Sequence, residues 1–496
     1  MKTAKIPGYV LLVILFLFNS CNNSNKQEET DQYILSQNKM LEDFDIFKAI
    51  YESANAGLYK YHTAKEIDSV FSINKTKITL TTNYREFYNI LWNVIDYTGS
   101  CHNELTYPDT LDKQLSKQRI FFPIPLKYID GELYTNFTYN NIPAGSKIHL
   151  INNLTAKNFI KLVSRYASTD GYNTTGKYAK TGTDWLPFYI YLALGKQDYF
   201  EIEYGDGDLH RKEKINSVTY KEFYSNYNKR YSLSFEKQLS KEYSFSIVDS
   251  INTGILDVHT FGMGGPETKG HKKYALFLDS VFTVLKDSKI KNLIVDVRGN
   301  GGGNDPNDIL LYSYLTEREF RENKSAFTLF QDIPFSEYYV FDDAEELNKD
   351  LKQEHSIYKN KRYYQNDSFN KTWKPKPNAF TGNMILLIDP YVASAGSLFA
   401  ALVKSEGNST VIGEESLGGY YGHTGHIPLT YELPHSKLLL TFSIVDIEQD
   451  VNITDDEKKG SGIVPDIRVV QSYEDYISNT DTQLNYAIKY IKTNTK

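Results

Sequence analysis

Apolar residues recur at helical spacing through the first part of the chain. In "MLEDFDIFKAIYESANAGLYKY" they fall at 41, 44, 47, 50 and 51, along one face of a 3.6-residue helix. "YREFYNILWNVIDYTG" repeats the pattern at 88, 91, 92 and 95. This second helix is expected to stop near Gly99, since glycine favours helix C-termini. His102 follows just past that stop, in "SCHNEL". Residues 40–115 therefore read as an N-terminal helical domain.

The period then changes. "GELYTNFTYNN" and "DYFEIEYGDG" alternate apolar and polar positions, as half-buried strands do. Residues 116–245 read as a β-rich module. Its segment "IPAGSKIHLINNLTAKNFIKLVSRYASTDGY" resembles part of a PDZ-like module; the alternative is a family-specific β insert. From 246 to 475 strands alternate with helices, which predicts α/β layering. "TGILDVHTF" and "KNLIVDVRGNGGG" read as strands, and "HKKYALFLDSVFTVLKDSK" as a helix with apolar residues at 277, 278, 281, 282 and 285. "LTYELPHSKLLLTFSIV" reads as a hairpin turning about Pro434-His435. Residues 316–380 are polar and aromatic with little regular pattern, and read as an insertion. Residues 476–496 read as a C-terminal helix. The fold class is α/β, in a multi-domain α+β arrangement.

The first residues behave differently. Lys2 and Lys5 precede an apolar run at 9–18, too short to span a bilayer. Asn19-Ser20-Cys21 follows, then a polar stretch. The pattern resembles a bacterial lipoprotein signal peptide over 1–20, with Cys21 carrying lipid and 21–39 serving as a flexible tether. It predicts export and a membrane anchor in the cell envelope. The other cysteine is Cys101, so no internal disulfide is expected.

Composition narrows the partners. The 496 residues carry 55 basic and 62 acidic side chains, a net charge of −7. No basic face is available to neutralise phosphates, which argues against nucleic acid. No cofactor is called for. His423 and His426, in "YYGHTGH", lack a third ligand in view and make a poor metal site; they read as residues lining a cleft. Oligomeric state is not readable.

The chemistry concentrates in "MILLIDPYVASAGSLFAALVKSEGNSTVIGEESLGGYYGHTGH". Ser394 stands where a strand gives way to a helix. The amides that follow it, beginning with Ala395, are unpaired at a helix start and lie at its positive end. That arrangement suits an oxyanion. The glycine turn after Asp296-Val297-Arg298 offers a second donor, Gly301 or Gly302, because bare backbone can approach a substrate closely. Asp296 and Arg298 read as holding the turn, and Ser397 as structural.

Three segments, "VDVRGNGGG" (295–303), "VASAGSLFAALV" (392–403) and "GIVPDI" (462–467), together resemble the tail-specific, or C-terminal-processing, serine protease superfamily. The resemblance implies a layered ClpP/crotonase-like catalytic core, a peptide or protein substrate, and Ser394 as nucleophile. The tail-specific branch proper uses a lysine in the glycine loop, 25 residues past the serine. Gly419 stands there, beside Gly418, and no lysine occurs between Lys404 and Lys437. Lys404 itself is about 15 Å along the helix from Ser394, out of reach. The chain is more similar to the tricorn-like and retinoid-binding-like branch, whose base is a histidine from the helical region. That resemblance implies His102 as general base. It also implies a glutamate before the "GIVPDI" segment that orients the histidine. Lys459 occupies the expected place, which leaves Glu457, two residues upstream. Cys101, where tricorn has serine, reads either as a relay substitute or as a small buried residue. The implied activity is an anchored serine endopeptidase; the alternative is a weakly active or inactive peptide-binding protein on the same fold.

Overall fold

The computed structural model describes residues 34–205 and 210–494. The signal-peptide residues, Cys21 and most of the tether lie outside them. The described chain opens on three helices, Gln37–Ala54, Ala64–Lys75 and Tyr84–Thr98. The third begins on a capping box between Asn83 and Glu86 and ends on Gly99 at φ 66°, a left-handed cap that glycine adopts without steric cost. These helices share one core with a six-stranded antiparallel sheet built largely from the C-terminal half. Phe44, Phe47 and Tyr51 pack with Leu429, Leu440 and Phe442, and the Tyr51 and Phe442 rings meet edge-on at 5.0 Å.

That shared core bears on the site. Immediately after His102 the strand Glu104–Thr106 pairs antiparallel with Leu439–Thr441 of the long strand Leu439–Gln449, with Leu105 opposite Leu440. The opposite edge of the long strand carries Thr424–Glu432, completing the hairpin. Buried Asp43, on the first helix, caps the hairpin's turn by accepting the amides of His435 and Ser436.

Residues 316–380 are more regular than their pattern suggests. They supply the strands Asn323–Thr328, Ile357–Lys359 and Arg362–Tyr364 to this sheet, and the helix Ala344–Glu354. Two of the strands are three residues long, Ile357–Lys359 exposed throughout and Arg362–Tyr364 partly so, too short for alternation to register.

The second six-stranded sheet runs Ile467–Arg468, Ser409–Gly413, Asn383–Ile388, Asn292–Asp296, Thr253–Val258, Tyr243–Val248. All neighbours are parallel except the last pair. Its central strands are apolar on both faces, as a covered parallel sheet requires. Leu386 and Ile388 pack with Phe282 and Phe399, while Ile385 and Leu387 face Ala487 and Ile491 of the helix Thr482–Asn494. Between the two sheets in sequence lies a separate core of Phe122, Ile148, Phe159, Phe200 and Ile215, built on a four-stranded sheet and a hairpin.

Candidate active site

Ser394 terminates the turn between the strand Asn383–Ile388 and the helix Ala395–Ser405, with φ 52° and ψ −133°. A non-glycine residue in this region is strained, and such strain persists where the surroundings over-determine it. The surroundings here are the glycine turn at 299–303. Ala393 N donates to Asn300 O at 3.1 Å. Asn300 Nδ2 reaches Val258 O at 3.0 Å, and Gly299 N reaches Asp389 Oδ1 at 3.0 Å. Burial pushes Asp389 up to about 6. Beneath the turn, fully buried Arg298 is clasped by Asp296 and Asp481 and lies over the Phe235 ring at 3.9 Å. Both residues hold the backbone rather than face the cleft.

The candidate oxyanion donors separate. The Gly302 amide is taken by Asn300 Oδ1 at 2.9 Å, and its carbonyl accepts from Phe261 N. The amides of Gly301 and Ala395 have no partner among the described residues. Gly302 instead makes room: at φ +104°, any β-carbon on it would run into Ser394.

His102 Nε2 lies 3.1 Å from Ser394 Oγ, the two residues being 292 apart in the chain. The histidine is held by what surrounds it. Behind it, Cys101 Sγ is 3.3 Å from Nδ1. Ser100 Oγ accepts the His102 amide at 3.3 Å. Burial pushes His102 below its ordinary value. The Asp170 charge and a bond with the Thr424 backbone push it back up, and Lys180 pushes it down.

The other sequence candidates have settled positions. Glu457 is buried and directs its carboxylate to Lys404 Nζ, at 2.6 Å, and to the Val464 amide. No contact joins it to His102 among the described residues, so the expectation that it orients the histidine gives way. Lys404 also reaches Val464 O and points away from Ser394. Ser397 Oγ donates to Ser394 O at 2.8 Å. Gly418 leaves space for Ser397: a β-carbon there would lie 2.1 Å from its Oγ. Gly419 donates its amide to Asp170 Oδ2 at 3.0 Å and bridges to Gly462. His423 is buried with its ring centroid 5.1 Å from that of His102, and burial pushes it down to about 3. His426 lies between Asp305, at 3.5 Å, and Glu354, at 3.4 Å.

Asp170 had no sequence signal. It sits in a turn, and both its bonds reach distant amides, Cys101 N at 2.9 Å and Gly419 N. Neighbouring residues make the same junction. Gly171 N donates to Gly99 O, Tyr172 N to Gly460 O, and Asn173 Nδ2 to Ser416 O. Residues 170–173 are thus a seam between the histidine turn and the loops around the serine.

Comparison with known proteins agrees with this architecture. Residues 252–469 match the model of Peptidase family S41. Among solved structures, mature CPAF is similar at 13% identity with a TM-score of 0.61, covering 92% of this chain and 97% of that one. Mature CPAF complexed with lactacystin aligns at 12% identity and a TM-score of 0.59, over 92% and 98% of the two chains. At these identities the likeness shows the fold alone. No curated protein matches the chain.

Proposed function

We propose, from the premise that residues 252–469 are a peptidase family S41 domain and the chain a serine peptidase, that it is an exported, lipid-anchored endopeptidase working through Ser394 and His102. The observation that carries this is the 3.1 Å contact between His102 Nε2 and Ser394 Oγ.

On this reading the steps are these. His102 takes the Ser394 proton on Nε2 as Oγ attacks the scissile carbonyl carbon. The carbonyl oxygen becomes an oxyanion, facing the amides of Ala395 and Gly301. Each such donor is worth on the order of 10²–10³ in rate. The C–N bond then breaks, with His102 returning its proton to the leaving amine. Water, deprotonated by the same histidine, releases the acyl group and restores Ser394. A neutral imidazole is needed for the first step, and burial favours that form.

Anchoring rests on the segment before residue 34, where Cys21 would carry the lipid. Two experiments test the reading. A fluorophosphonate probe is expected to label the wild-type chain and not Ser394→Ala; equal labelling rejects the nucleophile. Labelled palmitate is expected in the wild-type chain expressed in bacteria and absent from Cys21→Ala; incorporation into both rejects the anchor.

A further inference from the structure

We propose that Asp170 is the acidic positioning residue of this site, acting on His102 through the thiol of Cys101. The proposal rests on the Ser394–His102 reading and names what orients the histidine within it.

The residues touch in succession. Ser394 Oγ is 3.1 Å from His102 Nε2, and Cys101 Sγ is 3.3 Å from His102 Nδ1. Asp170 lies at the far end, fully buried, its Oδ1 accepting the Cys101 amide at 2.9 Å. The thiol lies beside that carboxylate through the same residue: burial pushes it well up, and the Asp170 charge pushes it further. It therefore keeps its proton. On this proposal the protons are assigned as follows. Cys101 S–H donates to Asp170, His102 Nδ1–H donates to the sulfur, and Nε2 is left with its lone pair toward Ser394. A thiol both donates and accepts weakly, so it suffices to select this tautomer. When Nε2 gains the serine proton, the resulting imidazolium faces a carboxylate one sulfur away.

No lysine or arginine pairs with Asp170 among the described residues, so its charge is not quenched by an ion pair. Its second oxygen binds the Gly419 amide at 3.0 Å. One carboxylate thus ties the histidine turn to the loop 25 residues past the nucleophile. The groups facing His102 are few: Asp170, the Cys101 thiol, Lys180, the neutral His423 ring and the Thr424 backbone. Glu457, bound to Lys404, is not among them.

A structural tie and a positioning residue differ in what a charge-neutral variant does. Asp170→Asn keeps an oxygen for one amide and removes the charge. The rate of fluorophosphonate labelling is measured against pH for the full chain and for Asp170→Asn, Cys101→Ser and Cys101→Ala. Asp170→Asn is expected to label at least about tenfold more slowly, a smaller loss than the roughly 10²–10⁴ of removing the base itself, with its acid limb displaced to lower pH. Cys101→Ala is expected to match that loss, Cys101→Ser to retain the wild-type rate, and the Asp170→Asn/Cys101→Ala pair to be no slower than either single variant. A wild-type rate and limb in Asp170→Asn overturns the proposal. So does a slow Asp170→Asn with an unmoved limb beside an unaffected Cys101→Ala. If circular dichroism shows Asp170→Asn unfolded, the two Cys101 variants decide, since both leave the amide bonds of Asp170 intact. Wild-type labelling in His102→Gln sinks the underlying Ser394–His102 reading instead. Where that variant is dead and the Cys101 and Asp170 variants are not, only the relay is lost.

Discussion

A β-carbon placed on Gly302 would lie 2.6 Å from the β-carbon of Ser394 and 2.9 Å from the Ala395 amide nitrogen. The glycine turn and the nucleophile are in contact at a point where neither has slack. Gly302→Ala combines that clash with a left-handed backbone at φ +104°. It is expected to lower fluorophosphonate labelling by on the order of 10² or more, the scale of losing an oxyanion donor. Gly301, one residue earlier, has open space where its β-carbon would be. Gly301→Ala keeps the amide and is expected to label near the wild-type rate. The reverse ranking of the two variants rejects the assignment of steric and donor roles.

The pH dependence of activity has a definite sign. The base works when neutral, so activity rises as pH climbs through the His102 pKa. Burial holds that value below its ordinary 6.5, which puts the acid limb below pH 6.5. Lys180 lowers it further. Lys180→Met removes that push, and its acid limb is expected to move to higher pH. Labelling rates across pH 4–8 check both; a limb that moves down in Lys180→Met contradicts the charge assignment.

Lys404 and Glu457 form a pair whose carboxylate is fully enclosed and whose lysine is 12% exposed. Removing one member strands the other. Lys404→Met is expected to lower stability by about 3 kcal/mol, the low end for a broken buried pair. The folded fraction is expected to keep its labelling rate, because the lysine does not face Ser394. Adding Glu457→Gln is expected to recover part of the loss. Urea denaturation gives the stability, and a dead but folded Lys404→Met would restore a lysine mechanism.

Asp43 carries a purely structural expectation. Its two oxygens accept the His435 and Ser436 amides. Asp43→Ala leaves the buried Ser436 donor and the half-buried His435 donor short, at a cost of about 1–3 kcal/mol for the buried one and less for the other. Denaturation should show that loss, with hydrogen exchange rising first at the hairpin turn.

Much of the catalytic sheet was legible in the chain. The run Met384–Ile388 has no polar interruption, as a strand covered on both faces requires. Gly99 marked its helix end, and "GNGGG" marked a turn that packs on Ser394. What stayed hidden depends on contacts with no local period. Asp170 binds amides 69 and 249 residues away, and nothing about an aspartate before Gly-Tyr-Asn announces that. Glu457 was reached through a motif offset, but its carboxylate follows the nearest available cation, Lys404. The short strands within 316–380 take their stability from the long strand beside them, so their own residues show little pattern.

The strand Glu104–Thr106 finds its partner only at Leu439–Thr441. On the ribosome, the histidine turn emerges long before the edge that holds it exists, and Ser394 emerges in between. On the Ser394–His102 reading, a product of translation that stops before Leu439 carries both side chains without the edge that seats the histidine turn. The two halves of the site are therefore brought together last, by residues that follow both of them in the chain.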